Sequence, residues 1–155
     1  MDELASDEYF MNEAIKEALK AYKKGEIPVG AVVVVNGEIV SRAHNIKETT
    51  NDPTSHAEIL AIREAGRALG AWRLTEATIY VTKEPCIMCS GAIVNARIKR
   101  LVYGCDDKKG GGALSLYKIV QDSRLNHQVE VKRGVLEAEC ISLLKKFFKE
   151  LRITK

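Results

Sequence analysis

An α/β fold, with helices on both faces of a sheet, follows from three observations on this sequence. Helical and strand patterns alternate over its whole length, with no repeat, linker or compositional break. A largely β-branched run, Val29 to Val35, is followed by Asn36-Gly37 and a second run, Glu38 to Ala43. Asn-Gly between two such runs is the strongest short hairpin signal. At the far end Leu136, Cys140, Leu143, Phe147 and Leu151 keep helical spacing and form one apolar stripe.

The elements can be taken in order. Ser6 is placed to cap a first helix whose opening turn holds Asp7 and Glu8. Phe10, Ala14, Ala18 and Ala21 sustain it, and Gly25 ends it. After the hairpin, His44 to Ser55 is polar, contains Pro53 and reads as a loop. The second helix runs from His56 to Leu69, with Ile59, Ile62, Ala65 and Leu69 as its expected buried stripe. Ala77 to Thr82 reads as a strand, Cys86 to Ala96 as a helix, and Arg100 to Gly104 as a strand. A charged, glycine-rich loop, Asp106 to Gly112, precedes a short helix over Ser115 to Gln121 and a short strand over Val129 to Lys132. Five strands result.

Composition sets the outer limits. The 155 residues carry 24 Lys+Arg against 21 Asp+Glu, a formal charge of +3, too mild to identify a nucleic-acid partner alone. A chain of this size buries about two-thirds of its unfolded surface, enough for one core, so a single domain over residues 1–155 is expected. Hydrophobic residues at 46% and charged residues at 29% exclude a disordered chain. The longest apolar run, Ile27 to Val35, is far shorter than the roughly 20 residues a membrane-spanning helix needs. The acidic start, Met1-Asp2-Glu3-Leu4, lacks the basic-then-apolar order of a signal peptide. A cytoplasmic protein without membrane partners is expected.

In that setting Cys86, Cys89, Cys105 and Cys140 are metal ligands or buried apolar residues rather than a disulfide framework. Cys86 and Cys89, three residues apart in a helix's first turn, face one side and can close on one ion. The helix amino terminus favours their thiolate forms, and Pro85 suits the first turn. His56 begins the preceding helix, so two helix amino termini can converge on one point. One nitrogen and two sulfurs leave a fourth tetrahedral position open, the composition of a catalytic zinc site. Glu58, two residues on, points elsewhere and stands beside the ion as a proton shuttle. Alone, Cys-x-x-Cys or His-x-Glu is weak; joined as His-x-Glu and Pro-Cys-x-x-Cys, they form the signature of zinc nucleobase deaminases. Cys105 and Cys140 read as small core residues.

At these residues the chain resembles the bacterial tRNA-specific adenosine deaminase family, within the cytidine deaminase-like fold. The likeness runs from Tyr9-Phe10-Met11 to Phe147-Phe148. It is densest in Asp52-Pro53-Thr54-Ser55-His56-Ala57-Glu58 and in Ala77-Thr78-Ile79-Tyr80-Val81-Thr82-Lys83-Glu84-Pro85-Cys86-Ile87-Met88-Cys89. Much of this is shared with guanine and cytosine deaminases; Trp72-Arg73-Leu74, Leu125-Asn126-His127 and Phe147-Phe148-Lys149-Glu150-Leu151-Arg152 resemble the tRNA family specifically. The resemblance implies a three-layer α/β/α fold on a five-stranded mixed sheet. It also implies one zinc ion per subunit on His56, Cys86 and Cys89, a homodimer, and an anticodon stem-loop as substrate. The implied reaction is hydrolysis of adenosine to inosine at wobble position 34, with Glu58 shuttling protons.

The resemblance further assigns Asn45 to the purine edge, Ile27 and Val29 to the base pocket, and the Ala57 N–H to the base or the incoming oxygen. Asp107 is implied to contact anticodon nucleotides. Asn45 also suits a plain turn, and Ile27 and Val29 any strand core. Lys108, Lys109, Lys145, Lys149 and Arg152, with Lys99 and Arg100 after the zinc helix, are candidate RNA contacts. Cations near a helix carboxyl end equally suit its dipole and solvation. His127 either orients a loop or meets RNA. Two other functions remain open: a free guanine or cytosine deaminase, and a non-catalytic zinc-stabilised RNA-binding module. Glu58 argues against the module, which has no use for an unligated carboxylate beside the metal.

Overall fold

The computed structural model describes residues 2–154. Its elements are α1 (Glu3–Lys23), β1 (Gly30–Val35), β2 (Glu38–His44), α2 (Lys47–Thr50), α3 (Ala57–Leu69), β3 (Thr78–Lys83), α4 (Ile87–Asn95), β4 (Arg100–Cys105), β5 (Glu130–Lys132) and α5 (Glu137–Thr154). The five strands form one sheet in the order β2-β1-β3-β4-β5. β1 is antiparallel to β2 and β3, whereas β3, β4 and β5 run parallel, so the sheet is mixed as expected. Asn36 (φ 52°) and Gly37 (φ 77°) supply the two left-handed residues of the tight hairpin turn.

Alternation along the strands splits the core in two. Ala31, Val33, Ile79, Val81, Leu101 and Tyr103 face α3 and α4, where Ala57, Ala61 and Ile93 meet them. Val32, Val34, Tyr80 and Val102 face the opposite way, against Met11 and Ala14 of α1 and Cys140 of α5. The three layers are therefore α/β/α, as the resemblance implies. Both faces of the sheet are buried, which is why its central strands read as continuous apolar runs.

Several boundaries differ from the sequence expectation. Asp2, not Ser6, caps α1, accepting from the Ala5 N–H at 2.8 Å. The polar 44–55 segment contains the one-turn α2, braced by the buried Glu26, which accepts from the Glu48 and Thr49 N–H groups. Of the short helix over Ser115 to Gln121, only a 3₁₀ turn at Ile119–Gln121 forms. The buried stripe of α3 is Ala57, Glu58, Ala61 and Ala65, while Leu69 is exposed. Small residues let α3 lie close to the sheet, and its bulkier residues sit at the edges of that contact. On α5, Cys140 and Phe147 are buried but Leu151 is 41% exposed, so the stripe meets the sheet only over its first half.

Asp7 leaves its expected role as a helix-dipole residue and becomes a buried anchor. It is 1% exposed and accepts from Tyr80 Oη at 2.7 Å, from both Arg100 Nη atoms at 2.8 Å and from Lys132 Nζ at 3.0 Å. Arg100 is thus committed to the fold and removed from the candidate RNA contacts. Burial alone would raise the Asp7 carboxyl, but these donors outweigh it and hold it at about 2. Because the folded value lies below the usual 3.8, the anchor's stability is complete above about pH 4 and is lost as pH falls toward 2. Asp7→Ala takes the buried carboxylate from Lys132 and leaves Arg100 only the exposed Glu3 (2.7 Å) and Glu130 (3.9 Å), and is expected to cost about 3 kcal/mol, read as a lower urea midpoint at pH 7. The difference from the parent should shrink toward pH 2; a constant difference would remove Asp7 from the acid response.

Candidate active site

Two helix starts meet at the carboxyl end of the parallel strands. His56 is the N-cap of α3 and Cys86 the N-cap of α4, both with extended backbone and neither using its side chain as a cap. Asp52 braces the approach to His56 by accepting from the Thr54 N–H, Thr54 Oγ1 and Ser55 Oγ at 2.7–2.9 Å. Freed from capping, the imidazole brings Nδ1 to 3.6 Å from Cys86 Sγ and 3.5 Å from Cys89 Sγ. All three ligand atoms lie within 4.8 Å of one another.

These distances test the metal expectation. Tetrahedral zinc, at roughly 2.05 Å from nitrogen and 2.3 Å from sulfur, requires N and S about 3.5 Å apart. The donor set fits. His56 and Cys86 are half-buried and Cys89 is fully buried. The hydrogen bond from Cys89, reinforced by His56, outweighs burial and pulls the Cys86 thiol down to about 4, while the Cys89 thiol is pushed up by its bond to Cys86 and by burial. A metal ion binds both cysteines as thiolates, so loading the site releases protons.

Glu58, 4% exposed in the first turn of α3, lines the same cavity as His56 and Cys86. Burial pushes its carboxyl up to about 7, where it can both take and give a proton near neutrality. It does not join the three-ligand cluster.

A cavity of about 130 Å³ opens beside these groups. The sequence-predicted Ile27, Val29, Asn45, His56, Ala57, Glu58, Cys86 and Asp107 all line it, with Cys89 buried beneath. Asn45 Nδ2 donates to the Ile27 carbonyl at 3.1 Å and Oδ1 accepts from the Lys47 N–H at 3.2 Å. One N–H and one lone pair of the amide are left for a base edge. Ala57 occupies the first helical position, where the N–H has no intrahelical acceptor.

Lys47, Lys83 and Glu84 line the cavity as well, and sequence reasoning missed all three roles. Glu84 is 2% exposed and gathers the Asp107, Leu114 and Ser115 N–H groups at 2.9–3.0 Å, together with Ser115 Oγ. A Cβ on Gly111 would sit 2.4 Å from that carboxylate, and one on Gly112 within 3.0 Å of the Cys86 backbone. The run of glycines therefore has a physical cause: it lets the loop close onto the metal-ligand segment. The glycine run itself was the one signal in the sequence that this loop closes tightly on a neighbour.

The remaining predicted residues lie outside the cavity. Lys108 and Lys109 are exposed in the glycine-rich loop. Lys145, Lys149 and Arg152 line a separate groove of about 510 Å³ with Ile141, Leu144 and Phe148. His127 binds the Ile98 carbonyl through Nε2 at 2.7 Å and so orients its loop.

Comparison with known proteins agrees with this geometry. The MafB19-like deaminase family matches residues 5–152. A tRNA-specific adenosine deaminase of Bacillus subtilis (strain 168) is 55% identical over 152 residues, covering 98% of this chain and 94% of its own. A structure from a study of A-to-I editing by tRNA:A34 deaminases superposes with a TM-score of 0.85 at 43% identity, covering 88% of this chain and 99% of that one. A guanine deaminase from Bacillus subtilis gives a TM-score of 0.62 at 41% identity, over 68% of this chain and 66% of that one. The chain belongs to the MafB19-like deaminase family, among the tRNA-specific adenosine deaminases.

Proposed function

We propose that this chain hydrolyses adenosine to inosine at the wobble position of tRNA anticodons, with zinc held by His56, Cys86 and Cys89, one ion per subunit. The observation that carries the reading is a base-sized cavity in which that donor set, a buried Glu58 and the Asn45 amide converge. Likeness to tRNA-specific adenosine deaminases over nearly the whole chain supports the substrate.

Zinc, when bound, supplies Lewis-acid activation of water. The protein's own groups do the rest. Ile27 and Val29 give the base apolar walls, and the free N–H and lone pair of Asn45 fix the purine edge. Glu58 takes a proton from the attacking water and delivers it to purine N1, which makes C6 electrophilic. After the C–O bond forms it carries the second proton from that oxygen to the amino group, which leaves as ammonia when the C–N bond breaks. The Ala57 N–H donates toward the oxygen side of the reacting carbon. Adenosine and water become inosine and ammonia. An anticodon loop presents its base unpaired, so extrusion costs less than the few kcal/mol a duplex base requires.

Around the cavity, the exposed Lys108 and Lys109 and the groove of Lys145, Lys149 and Arg152 provide cations for a phosphate backbone. The apolar floor of that groove, with Phe148, suits an unpaired base. Asp107 at the rim is placed for a sugar or base. We read residues 1–155 as a single domain that works as a homodimer. Ile87, Leu116 and Tyr117, all more than half exposed near the glycine-rich loop, are an apolar surface for a second copy. Among the described residues no helix is long and apolar enough to cross a membrane. A tRNA substrate supports a cytoplasmic location.

The guanine deaminase likeness makes a free base the competing substrate. An anticodon stem-loop with a wobble adenosine, offered beside free adenine, guanine and cytosine, separates the two. Inosine should form in the stem-loop alone; turnover of free guanine with an untouched stem-loop would contradict the reading.

A further inference from the structure

Lys83 ends β3, three residues before Cys86, and lines the cavity. It lies opposite Cys105 of the parallel β4, at the carboxyl ends of the strands, where open α/β sheets bind ligands. The loop facing it is fixed in place: Glu84 holds the Asp107 N–H at 3.0 Å, and Asp107 Oδ1 accepts from the Lys109 and Gly110 N–H groups at 3.1 Å. The second oxygen, Oδ2, stands 3.3 Å from Lys83 Nζ. Among the described residues it is the one anionic group within 4.0 Å of that ammonium.

This pairing is loose in a particular way. An ammonium has three donors, and a single carboxylate oxygen occupies one. The side chains are 29% and 20% exposed, so solvent screens the pair and exchanging the anion costs little. Asp107 is tied by its loop and cannot follow a moving lysine, whereas the Lys83 stem is flexible. Lys47 is a second cation on a cavity also lined by Glu58, Glu84 and Asp107; the Glu84 and Asp107 carboxylates already accept from loop N–H groups, which offsets part of their charge.

We propose that Lys83 receives a backbone phosphate of the RNA beside the target nucleotide, and that Asp107 holds the ammonium in place until RNA arrives. The proposal rests on the tRNA reading above. A lone lysine at a strand end carries no sequence pattern that marks it as an RNA contact.

The test is stem-loop binding by fluorescence anisotropy between 50 and 200 mM salt. One phosphate contact to single-stranded RNA is worth a slope of about 0.7 in log affinity against log salt. The parent's advantage over Lys83→Met should therefore shrink about 2.6-fold across that range. KM for the stem-loop should rise by a larger factor than kcat falls. Lys83→Arg should restore the slope, and Lys16→Met, on the exposed side of α1, should leave it at the parent value. Lys83→Gln serves the same comparison should the methionine variant not fold. Equal slopes for parent and Lys83→Met would overturn the proposal and leave Lys83 as a brace for Asp107. A parent that neither binds nor deaminates the stem-loop would show instead that the tRNA reading has failed, and this proposal with it.

Discussion

Glu58→Gln is expected to lower the deamination rate about 10²- to 10⁴-fold while the chain keeps its fold and its metal. Glu58 stands outside the three-ligand cluster, so replacing it removes no metal ligand. It is buried and isosteric with glutamine, so packing is retained. What disappears is a carboxyl that burial lifts to about 7, the one group in the cavity placed to carry a proton from water to the purine and then to the amine. Single-turnover kinetics on a stem-loop, with metal content measured alongside, checks this. Activity near the parent level would remove Glu58 from the mechanism; loss of metal together with activity would make it a structural residue.

Cys89→Ala is expected to abolish activity by another route. Cys89 is fully buried and 3.5 Å from His56 Nδ1, and its loss leaves two ligands that cannot hold zinc at a tetrahedral site. Metal content should fall from about one ion per chain to near zero, and the thermal midpoint should match that of chelator-treated parent. Cys105→Ala and Cys140→Ala are the controls. Both thiols are buried, and burial pushes them to about 11 and about 12, so neither offers a thiolate near neutrality. They should retain full metal content. A Cys89→Ala chain still carrying one ion would refute the assigned ligand set.

Much of this site is legible in the sequence because its chemistry needs fixed residue types at short spacings. His56 and Glu58 lie in one turn, and Cys86 and Cys89 in another, so each pair's relation is set locally by helix geometry. The hairpin is legible for the same reason, since Asn36 and Gly37 specify their own turn. Contacts between residues far apart in sequence are not. Asp7 reads as a helix-dipole residue until Arg100 and Lys132, from strands β4 and β5, close on it. Glu84 carries no local signal of its role, which appears only when a loop some thirty residues on wraps its carboxylate. The buried stripe of α3 was misjudged for a related reason. Of the expected Ile59, Ile62, Ala65 and Leu69, Ala65 is buried and Ile62 packs partly buried against the core, but Leu69 is exposed, because close approach to the sheet selects Ala57, Ala61 and Ala65.

The central claim is that this cavity adds water to a wobble adenosine. The most direct measurement incubates the parent chain in ¹⁸O-labelled water with a stem-loop whose one loop adenosine is at the wobble position. Mass spectrometry of the nucleosides should find inosine bearing one labelled oxygen, with one ammonia released per adenosine consumed. An unchanged adenosine, in a metal-loaded chain that deaminates a free base under the same conditions, would contradict the claim.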